Sequence, residues 1–390
     1  TDLFVVTYLD FQSCLRVCRN KEDRPVTCHP RAMSADQDIL FQNRGDGTFS
    51  NVTESAGITA LEGKGLGVVV ADLDDDGWPD VYVANDTTPN FLYHNRTARL
   101  GDEPSRLQFE EIGVVSGTAL SAEGQAQAGM GIACADFDGN GHLDLYVTNY
   151  LREYNTLYLN SGNLSFRDET RKASLVVPTL PVLGFGTQAI DAGLKGRPDL
   201  FVANGHVEDV RERGDPWTMP PQFFHNLGNA YFADLSRECG AYFMGEYLGR
   251  SVSRLDWDRD GRPDLVVVHQ DRPVALLHNE TDPGTRIVLD LIGVRSNRDA
   301  TNARIVVKAA GHTQVIEIHG GDGYLSTNER RQIIGIGAAR KVDELEIRWP
   351  SGEIVKWVDI DANRKLLIVE GRGPIVEVER QGGDAVVGRD

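Results

Sequence analysis

Short apolar segments rich in β-formers recur along the N-terminal part of the chain. Four of them begin at an aspartate and read Asp80-Val-Tyr-Val, Asp144-Leu-Tyr-Val, Asp199-Leu-Phe-Val and Asp264-Leu-Val-Val. Another apolar segment precedes each, and in three copies it opens with Gly-x-Gly, at Gly65, Gly129 and Gly184. Segments of this length and composition predict β-strands. The pattern therefore predicts a repeated pair of strands that flank one loop.

Each repeat continues into a third apolar segment that ends in asparagine, at Asn95, Asn160, Asn226 and Asn279. In two copies a glycine follows after two residues and a phenylalanine after six, which indicates a tight turn and a fourth strand. The same ending at Asn43, Gly45 and Phe49 indicates a fifth copy without its beginning. Units of four antiparallel strands are typical of β-propeller blades. We therefore predict an all-β chain, a propeller whose first blade is truncated.

The loop between the first two strands of a repeat carries oxygen donors at every second position. Three copies share the spacing Asp-x-Asp-x-Asp/Asn-Gly-x-x-Asp: Asp72, Asp74, Asp76 and Asp80; Asp136, Asp138, Asn140 and Asp144; and Asp256, Asp258, Asp260 and Asp264. Such donors converge on one point, and the residue after the glycine, Trp78, His142 or Arg262, can add its backbone carbonyl. Because the carboxylates repel one another without a cation, we predict three Ca²⁺ sites.

Neither an EF-hand nor the fourth copy of the loop fits this description. An EF-hand requires Glu at its twelfth position and a following helix, whereas this chain has valine there and a strand. The fourth copy keeps Asp191 and Asp199 but has Gly193 and Lys195 at ligand positions. We expect the lysine ammonium to sit where the cation belongs, so this loop is predicted to be metal-free.

Composition and charge narrow the classes of partner. The 390 residues include 40 basic and 58 acidic side chains, for a net charge of -18, which disfavours nucleic acid and anionic lipid surfaces. No apolar run approaches the ~20 residues that a membrane helix needs. We therefore expect no nucleic-acid partner and no membrane insertion.

These motifs resemble two known families. The Gly-x-Gly strands and acidic loops resemble the FG-GAP or VCBS repeats of integrin-α-like propellers. The region from about Arg286 to Glu370 resembles the ASPIC/UnbV domain of the cartilage acidic protein-like family; it carries the motifs Asn297-Arg-Asp-Ala, Gly320 to Ser326 and Trp349-Pro-Ser-Gly, but has Thr301-Asn302 where an Ile-Gly pair is usual. The resemblance implies a calcium-bearing, usually seven-bladed propeller followed by a small β-domain. Five blades are too few, so we expect a piece of a longer protein.

The C-terminal region also predicts a β-domain on its own pattern, because apolar segments alternate there with Gly-rich turns. We therefore place the propeller blades at 1–283, a β-sandwich-like domain at 284–372 and a tail at 373–390. Among the five cysteines, Cys14, Cys18 and Cys28 lie in one segment, where one disulfide is more plausible than a zinc site. Because millimolar extracellular calcium fills even weak sites, we expect a secreted or cell-surface protein.

Two connections between the second and third strands are long. The distance from the strand-opening Asp to the turn Asn is 41 residues between Asp2 and Asn43 and 27 between Asp199 and Asn226, against 15 or 16 in the other repeats. Both insertions leave from the same point of the blade and hence from the same face, and long loops on a rigid scaffold commonly bind partners. The first insertion is basic, and the second contains candidate binding residues His206, Glu208, Asp209, Arg211 and Trp217.

The sequence favours a non-enzymatic, calcium-rigidified binding or adhesion module whose insertion face contacts a protein or a glycan. Three alternatives stay open. The insertions could merely cover the mouth of the propeller, and the chain could be a structural spacer. It could also be a carbohydrate-active enzyme, a polysaccharide lyase or a glycosidase, that uses Glu208 or Asp209 with His206.

Overall fold

The computed structural model describes residues 1–20, 23–97, 107–282, 284–372 and 376–377. In these ranges β-strands dominate, and the helices are single turns: α1 (Phe11–Cys14), α2 (Gly113–Ser116), α3 (Val176–Thr179) and the 3-10 turns Pro30–Ala32, Arg211–Arg213, Ser236–Glu238 and Ala241–Met244. None of the helices in the described part of the chain is long and apolar enough to cross a membrane. The prediction of an all-β fold is confirmed.

Five small antiparallel sheets follow one another along the chain and are named blades 1 to 5. Blade 1 contains β1 (Leu3–Val5), β4 (Ile39–Asn43) and β5 (Phe49–Asn51), and the hairpin β2 (Cys18–Arg19) and β3 (Pro25–Val26) lies in its long connection. Blade 2 contains β6 (Gly65–Ala71), β7 (Asp80–Asn85), β8 (Phe91–Asn95) and β9 (Phe109–Glu111). Blade 3 contains β10 (Ile132–Ala135), β11 (Asp144–Val147), β12 (Thr156–Asn160) and β13 (Phe166–Asp168).

Blade 4 contains β14 (Gly184–Ile190), β15 (Asp199–Asn204), β16 (Gln222–Asn226) and β17 (Phe232–Asp234). Blade 5 contains β18 (Gly249–Leu255), β19 (Asp264–His269) and β20 (Ala275–Leu277). The second strand of blades 2 to 5 begins at the aspartate that the repeat predicts. Blade 1 lacks its first strand, as predicted, and within the described residues the sheet of blade 5 ends at its third strand.

The hydrophobic core lies between neighbouring blades. Tyr82 of blade 2 packs in one cluster with Ile132 and Tyr158 of blade 3, and a second cluster joins Tyr146 of blade 3 to Phe224 of blade 4. Because both faces of a central blade are covered, every residue of β7 and β15 is buried. Burial on both faces explains why these strands have continuous apolar runs instead of an alternating pattern.

Two four-stranded sheets follow the blades and form the C-terminal domain. One contains β21 (Thr285–Ile292), β25 (Gln332–Gly337), β28 (Arg364–Val369) and β29 (Val376–Glu377); the other contains β22 (Arg304–Ala309), β23 (His312–Glu317), β26 (Lys341–Arg348) and β27 (Ile354–Asp361). Side chains of both sheets, such as Leu289, Ile305 and Leu345, share one buried cluster with Trp349. The predicted β-sandwich-like domain is thus confirmed, while the predicted tail, 373–390, lies outside the described residues except for β29.

A segment of the C-terminal domain enters the centre of the blade array. We name residues 319–330 the axial segment; it contains the short strand β24 (Gly320–Gly321), which pairs with β6. Gly323 exchanges two hydrogen bonds with Ile132 of β10. Asn328 donates to Gln188 of β14 and accepts from the Arg254 amide of β18. The axial segment therefore contacts the first strand of each of blades 2 to 5, which the sequence did not predict.

Candidate metal centre

The loops between the first two strands of blades 2, 3, 4 and 5 share one backbone design, and we name them loop 2 (72–80), loop 3 (136–144), loop 4 (191–199) and loop 5 (256–264). In each, the glycine N–H at the sixth position donates to Oδ2 of the first aspartate, at 2.9, 2.9, 2.7 and 3.2 Å. The fourth position has a left-handed conformation in all four loops: φ is 66° at Asp75, 79° at Gly139, 53° at Leu194 and 65° at Arg259. The repeat in sequence is thus a repeat in geometry.

Loops 2, 3 and 5 bring their carboxylates together. Ligand atoms lie within 4.8 Å of one another in each of three groups: Asp72, Asp74 and Asp76; Asp136, Asp138 and Asp144; and Asp256, Asp258 and Asp264. Within the loops, the third-position carboxylate accepts from the fifth-position N–H, and the fifth-position side chain accepts from the seventh-position N–H. These bonds point the alternate oxygens inward, which is the donor set that Ca²⁺ prefers.

Two of the first-position aspartates carry oxygens that suit a cation. Asp72 Oδ1 and Asp256 Oδ1 have no hydrogen-bond partner among the described residues, although these side chains are only 2% and 1% exposed. Leaving a buried carboxylate oxygen unpaired is costly. The residues present therefore fit a hard divalent cation in loops 2 and 5, and Asp138, Asn140 and Asp144 give loop 3 the same donor types.

Burial makes these carboxylates unfavourable as isolated anions. Burial raises the pKa of Asp72 to about 6, although the neighbouring Arg348 guanidinium opposes the shift. Burial likewise raises the pKa of Asp136 to about 6, and it raises the pKa of Asp74 and Asp256. Each loop therefore holds negative charge in a place where water solvates it poorly, which a bound cation would offset.

The residues predicted to contribute backbone carbonyls make side-chain contacts of their own. Trp78 is 36% exposed, and the His142 Nδ1 of loop 3 lies 2.9 Å from Asp75 Oδ2 of loop 2. Arg262 forms an ion pair with Asp260 inside loop 5. The link between His142 and Asp75 joins two neighbouring loops directly.

The aspartate at the ninth position has a structural role that the sequence analysis missed. Asp80 accepts the Leu73 N–H through Oδ2 and the Asn95 N–H through Oδ1, at 3.2 and 2.8 Å. Asp144, Asp199 and Asp264 repeat both bonds. Because Asp199 makes them in loop 4, which has lost other ligands, this aspartate ties the loop to the third strand independently of a cation.

The asparagine that ends the third strand joins one blade to the next. Asn160 Nδ2 donates to the Leu73 carbonyl of loop 2 at 2.8 Å, Asn226 Nδ2 to the Phe137 carbonyl of loop 3 at 2.9 Å, and Asn279 Nδ2 to the Ala192 carbonyl of loop 4 at 3.0 Å. Each acceptor directly follows the first aspartate of a loop. The conformation of a loop is therefore linked to the position of the following blade.

Histidines just before this asparagine also reach the loops. His94 Nδ1 lies 3.0 Å from Asp80 Oδ1 and 3.7 Å from Asp74 Oδ2, and His278 Nε2 lies 3.2 Å from Asp258 Oδ2. The hydrogen bond to Asp80 raises the pKa of His94. Both histidines belong to groups whose ligand atoms lie within 4.8 Å of one another, His94 with Asp74 and Asp80 and His278 with Asp258 and Asp260, so each can serve as an additional ligand.

Loop 4 differs from the expectation in one respect. Asp191 accepts the Lys195 and Gly196 N–H groups, and burial raises its pKa to about 7. The Lys195 side chain is exposed, with its stem alongside Gly193, instead of occupying the interior of the loop. Since Gly193 offers no side-chain ligand, the loss of oxygen donors, and not a lysine ammonium, distinguishes loop 4.

The two insertions meet on the face opposite to these loops, because they connect second to third strands whereas the loops connect first to second strands. Thr27 N–H of the first insertion lies 3.4 Å from Glu208 Oε1 of the second. The Cys18–Cys28 disulfide closes the β2–β3 hairpin, and the side chain of Cys14 lies outside the described residues. The prediction that both insertions share a face agrees with this contact.

The candidate binding residues divide into buried and exposed groups. His206 is 3% exposed, its Nδ1 accepts the Glu208 N–H, and burial lowers its pKa. The half-buried Trp217 accepts the His206 N–H through its carbonyl. Asp209 and Arg211 form an exposed two-bond ion pair, which lowers the pKa of Asp209. His206 therefore supports the insertion, while Asp209 and Arg211 lie on its surface.

Comparison with known families agrees with the division of the chain into N-terminal blades and a C-terminal domain. Residues 293–375 match the ASPIC and UnbV family, and residues 32–83 and 72–147 match the FG-GAP-like repeat. Among curated proteins, the chain is 26% identical over 331 residues to cartilage acidic protein 1 of Xenopus tropicalis and 26% identical over 341 residues to that of Homo sapiens. Each match covers 80% of this chain and 45% of the relative. The chain thus spans less than half the length of these relatives.

Solved structures give weaker similarities. An Agrocybe aegerita lectin that recognises non-reducing terminal N-acetylglucosamine matches with a TM-score of 0.29 and 15% identity, over 64% of this chain and 77% of the lectin. The biofilm matrix protein Bap1 of V. cholerae matches with a TM-score of 0.30 and 13% identity, over 97% of this chain and 60% of Bap1. Scores this low support no argument about the present protein. The chain therefore carries FG-GAP-like repeats and a C-terminal ASPIC/UnbV domain, and its sequence is similar to that of cartilage acidic protein 1.

Proposed function

We propose that this protein is a non-enzymatic, extracellular binding module in which Ca²⁺ ions in loops 2, 3 and 5 rigidify the blades. The observation that carries the proposal is the set of inward-facing carboxylates in three loops of one geometry, with unpaired buried oxygens at Asp72 and Asp256. A bound cation would neutralise these groups and hold the left-handed fourth position in place. The asparagine side chains at the ends of the third strands of blades 3 to 5, which we name the Asn latches, each donate to a loop of the preceding blade. A cation that orders a loop would therefore also fix the position of the next blade.

The calcium part of the proposal is tested by metal content and thermal melting. We expect three Ca²⁺ per chain after equilibrium dialysis, and a lower melting temperature when a chelator removes them, because a cation that binds only the folded loops stabilises the fold. Asp72→Ala should lower the stoichiometry to two. Asp191→Ala in loop 4 is the matched control and should leave three ions. Binding of no calcium, with a melting temperature indifferent to chelator, would contradict the proposal.

The same chemistry supports the proposed extracellular location. Extracellular calcium is millimolar, which is enough to fill sites of modest affinity. The Cys18–Cys28 disulfide supports an oxidising compartment. The relation to cartilage acidic protein 1 supports this location as well.

We further propose that the insertion face contacts a protein or glycan partner. Its first insertion exposes Phe11, Leu15 and Val17, at 70%, 64% and 66%, beside a group of arginines. Exposed apolar side chains next to charge are typical of interaction sites. The opposite face holds the metal loops and is occupied by the C-terminal domain, which leaves the insertion face as the accessible one.

A glycan array tests this second part together with a panel of extracellular proteins. We expect the intact chain to bind at least one ligand, and the chain in which both insertions are replaced by short turns to lose that binding. The C-terminal domain variant Lys356→Ala, which changes an exposed ion pair far from the insertions in sequence, serves as the control that should still bind. Binding that survives removal of both insertions would contradict this assignment.

The enzymatic alternative is not favoured by the geometry of the second insertion. A general acid needs a raised pKa, whereas the Asp209 carboxyl has a lowered one because of Arg211. Glu208 meanwhile accepts a backbone N–H from the first insertion. Turnover of a polysaccharide that is lost in Glu208→Gln would nevertheless establish that alternative.

A further inference from the structure

The C-terminal domain contacts the fourth position of loops 2, 4 and 5, where the backbone is left-handed. Arg348 Nη1 donates to the Asp75 carbonyl at 3.2 Å in loop 2, and Lys365 Nζ donates to the Arg259 carbonyl at 2.8 Å in loop 5. In loop 4 the Gly337 N–H donates to the Leu194 carbonyl at 2.9 Å. The same backbone carbonyl is therefore held in three loops by three different groups of one domain.

Loop 3 is held at its sixth position instead of its fourth. Arg304 Nη2 donates to the Gly141 carbonyl at 2.7 Å, and the same side chain forms an ion pair with Asp75 of loop 2. One arginine thus bridges two loops. All four loops are consequently in contact with the C-terminal domain, although only three of them have the full set of oxygen donors.

The domain also contacts the first aspartate of loops 2 and 5. The Asp72 N–H donates to Glu317 Oε1 at 3.1 Å, and the Asp256 N–H donates to Glu329 Oε2 at 2.9 Å. The Arg348 guanidinium lies against Asp72 Oδ2, the oxygen that also accepts the Gly77 N–H. Since Oδ1 of Asp72 stays unpaired, Arg348 orients this carboxylate without using the oxygen available to a cation.

The left-handed fourth position gives these contacts a consequence for metal binding. A non-glycine residue costs about 1–2 kcal/mol in this conformation, and Asp75 and Arg259 both adopt it. The three loops that group their carboxylates all have the fourth position in this conformation, at Asp75, Gly139 and Arg259. Groups that hold the fourth-position carbonyl therefore stabilise the loop in the shape that binds a cation, before the cation arrives.

We propose that Arg348 and Lys365 are positioning residues for the metal loops, so that docking of the C-terminal domain and cation binding strengthen each other. This inference rests on the proposed calcium binding and adds that the C-terminal domain favours it. By linkage, the docked domain raises the cation affinity of loops 2 and 5, and the bound cation tightens docking by the same factor. The contact between Gly337 and loop 4 does not depend on metal, so it keeps the C-terminal domain attached to the blades without a cation.

Coulomb repulsion alone predicts that Arg348 weakens cation binding, which is the opposite of this inference. The two can therefore be distinguished by experiment. A guanidinium beside a ligand repels a divalent cation, so removing the charge of Arg348 should by Coulomb's law alone tighten cation binding. Arg348→Lys keeps the charge but loses the fork that reaches Asp72 and the Asp75 carbonyl together. This variant therefore separates positioning from charge.

The first measurement is the calcium affinity of loop 2, by competition with terbium. Trp78 lies in loop 2 and Trp257 in loop 5, so sensitised terbium luminescence in a Trp257→Phe background reports loop 2. We expect Arg348→Lys to weaken the calcium affinity of loop 2 by about tenfold, within the range typical of coupled sites. Arg295→Lys is the matched control, because Arg295 pairs with Glu353 inside the C-terminal domain, and it should leave the affinity unchanged.

The second measurement is hydrogen exchange of the axial segment with and without chelator. The amides of Asp322, Gly323 and Glu329 donate to carbonyls of the blades and report docking. We expect chelation to speed their exchange while the amides of β22 and β26 stay protected, which distinguishes undocking from unfolding. If calcium binds but Arg348→Lys leaves its affinity unchanged or tighter, and chelation leaves these amides protected, the inference is wrong and the proposed function stands. If calcium does not bind, the proposed function itself is wrong.

Discussion

At the scale of single residues, the ninth-position aspartate joins each loop to the third strand whether or not the loop keeps its other oxygen donors. Its two oxygens accept backbone N–H groups in loops 2 to 5, and in loops 3 and 5 it also lies within 4.8 Å of the first- and third-position carboxylates, whereas the corresponding group in loop 2 contains the fifth-position Asp76. Blade 4 retains Asp199 and Asn226 and has lost ligands at other positions. Loop 4 therefore keeps the residues that join it to the third strand while offering fewer oxygen donors.

The asparagine latch gives the first prediction of stability. In Asn160→Asp, a carboxylate or hydroxyl oxygen replaces the amide nitrogen that donates to the Leu73 and Leu143 carbonyls. Because the site is buried, we expect a loss of about 2–4 kcal/mol in the free energy of unfolding, measured by chemical denaturation. Asn163→Asp in the exposed turn of the same hairpin is the control and should change little. Equal stabilities of the two variants would contradict the latch.

At the scale of the strands and loops, much could be predicted from sequence because the signal is local and repeated. The aspartates that open β7, β11, β15 and β19 were assigned correctly, since each precedes a run of β-formers. The acidic loops were recognisable because their carboxylates lie within nine residues of one another. The acceptors of the Asn latches were not, because a backbone carbonyl in another blade has no sequence signature.

The contacts of the C-terminal domain with the loops could not be predicted from the sequence either. Arg304 reaches a residue 163 positions away, and Arg348 one that is 276 positions away. A single sequence does not specify such pairs, since many arginines could contact an acidic loop. The motif Gly320 to Ser326 was noticed as a family feature, but its place in the centre of the blades follows only from the structure.

The close approach of the axial segment to β6 gives a prediction about stability at the scale of strands. Gly321 has φ +82°, and a Cβ there would lie 2.1 Å from the Val68 carbonyl oxygen. Gly311 has φ +79° with nothing within 4 Å of its Cβ position, so Gly311→Ala isolates the cost of the backbone conformation. We expect Gly321→Ala to destabilise the protein by about 1–3 kcal/mol more than Gly311→Ala, because β24 must move away from β6.

Thermal and chemical unfolding of these two variants measures the difference. Hydrogen exchange at Gly323 in Gly321→Ala should also increase, because Gly323 exchanges hydrogen bonds with Ile132 of β10, in the next blade. If both alanine variants lose the same stability, the close approach of the axial segment to β6 does not contribute, and the account of its docking is wrong.

At the scale of the whole molecule, the two faces of the blade array have different roles. The loop face carries the acidic clusters and is covered by a domain that presents Arg286, Arg304, Arg348 and Lys365 to it. The opposite face carries both insertions, the disulfide and the exposed side chains of Phe11, Leu15 and Val17. A protein of net charge -18 thus has its acidic loops matched by its own arginines and lysines. The insertion face is the one that we propose contacts a partner.

The most direct test of the central claim is anomalous X-ray diffraction from crystals of the protein grown with calcium. The account predicts three anomalous peaks, one each in loops 2, 3 and 5, coordinated by Asp72, Asp136 and Asp256 with their alternate-position partners, and none in loop 4. Loops 2, 3 and 5 without a peak at millimolar calcium would contradict it.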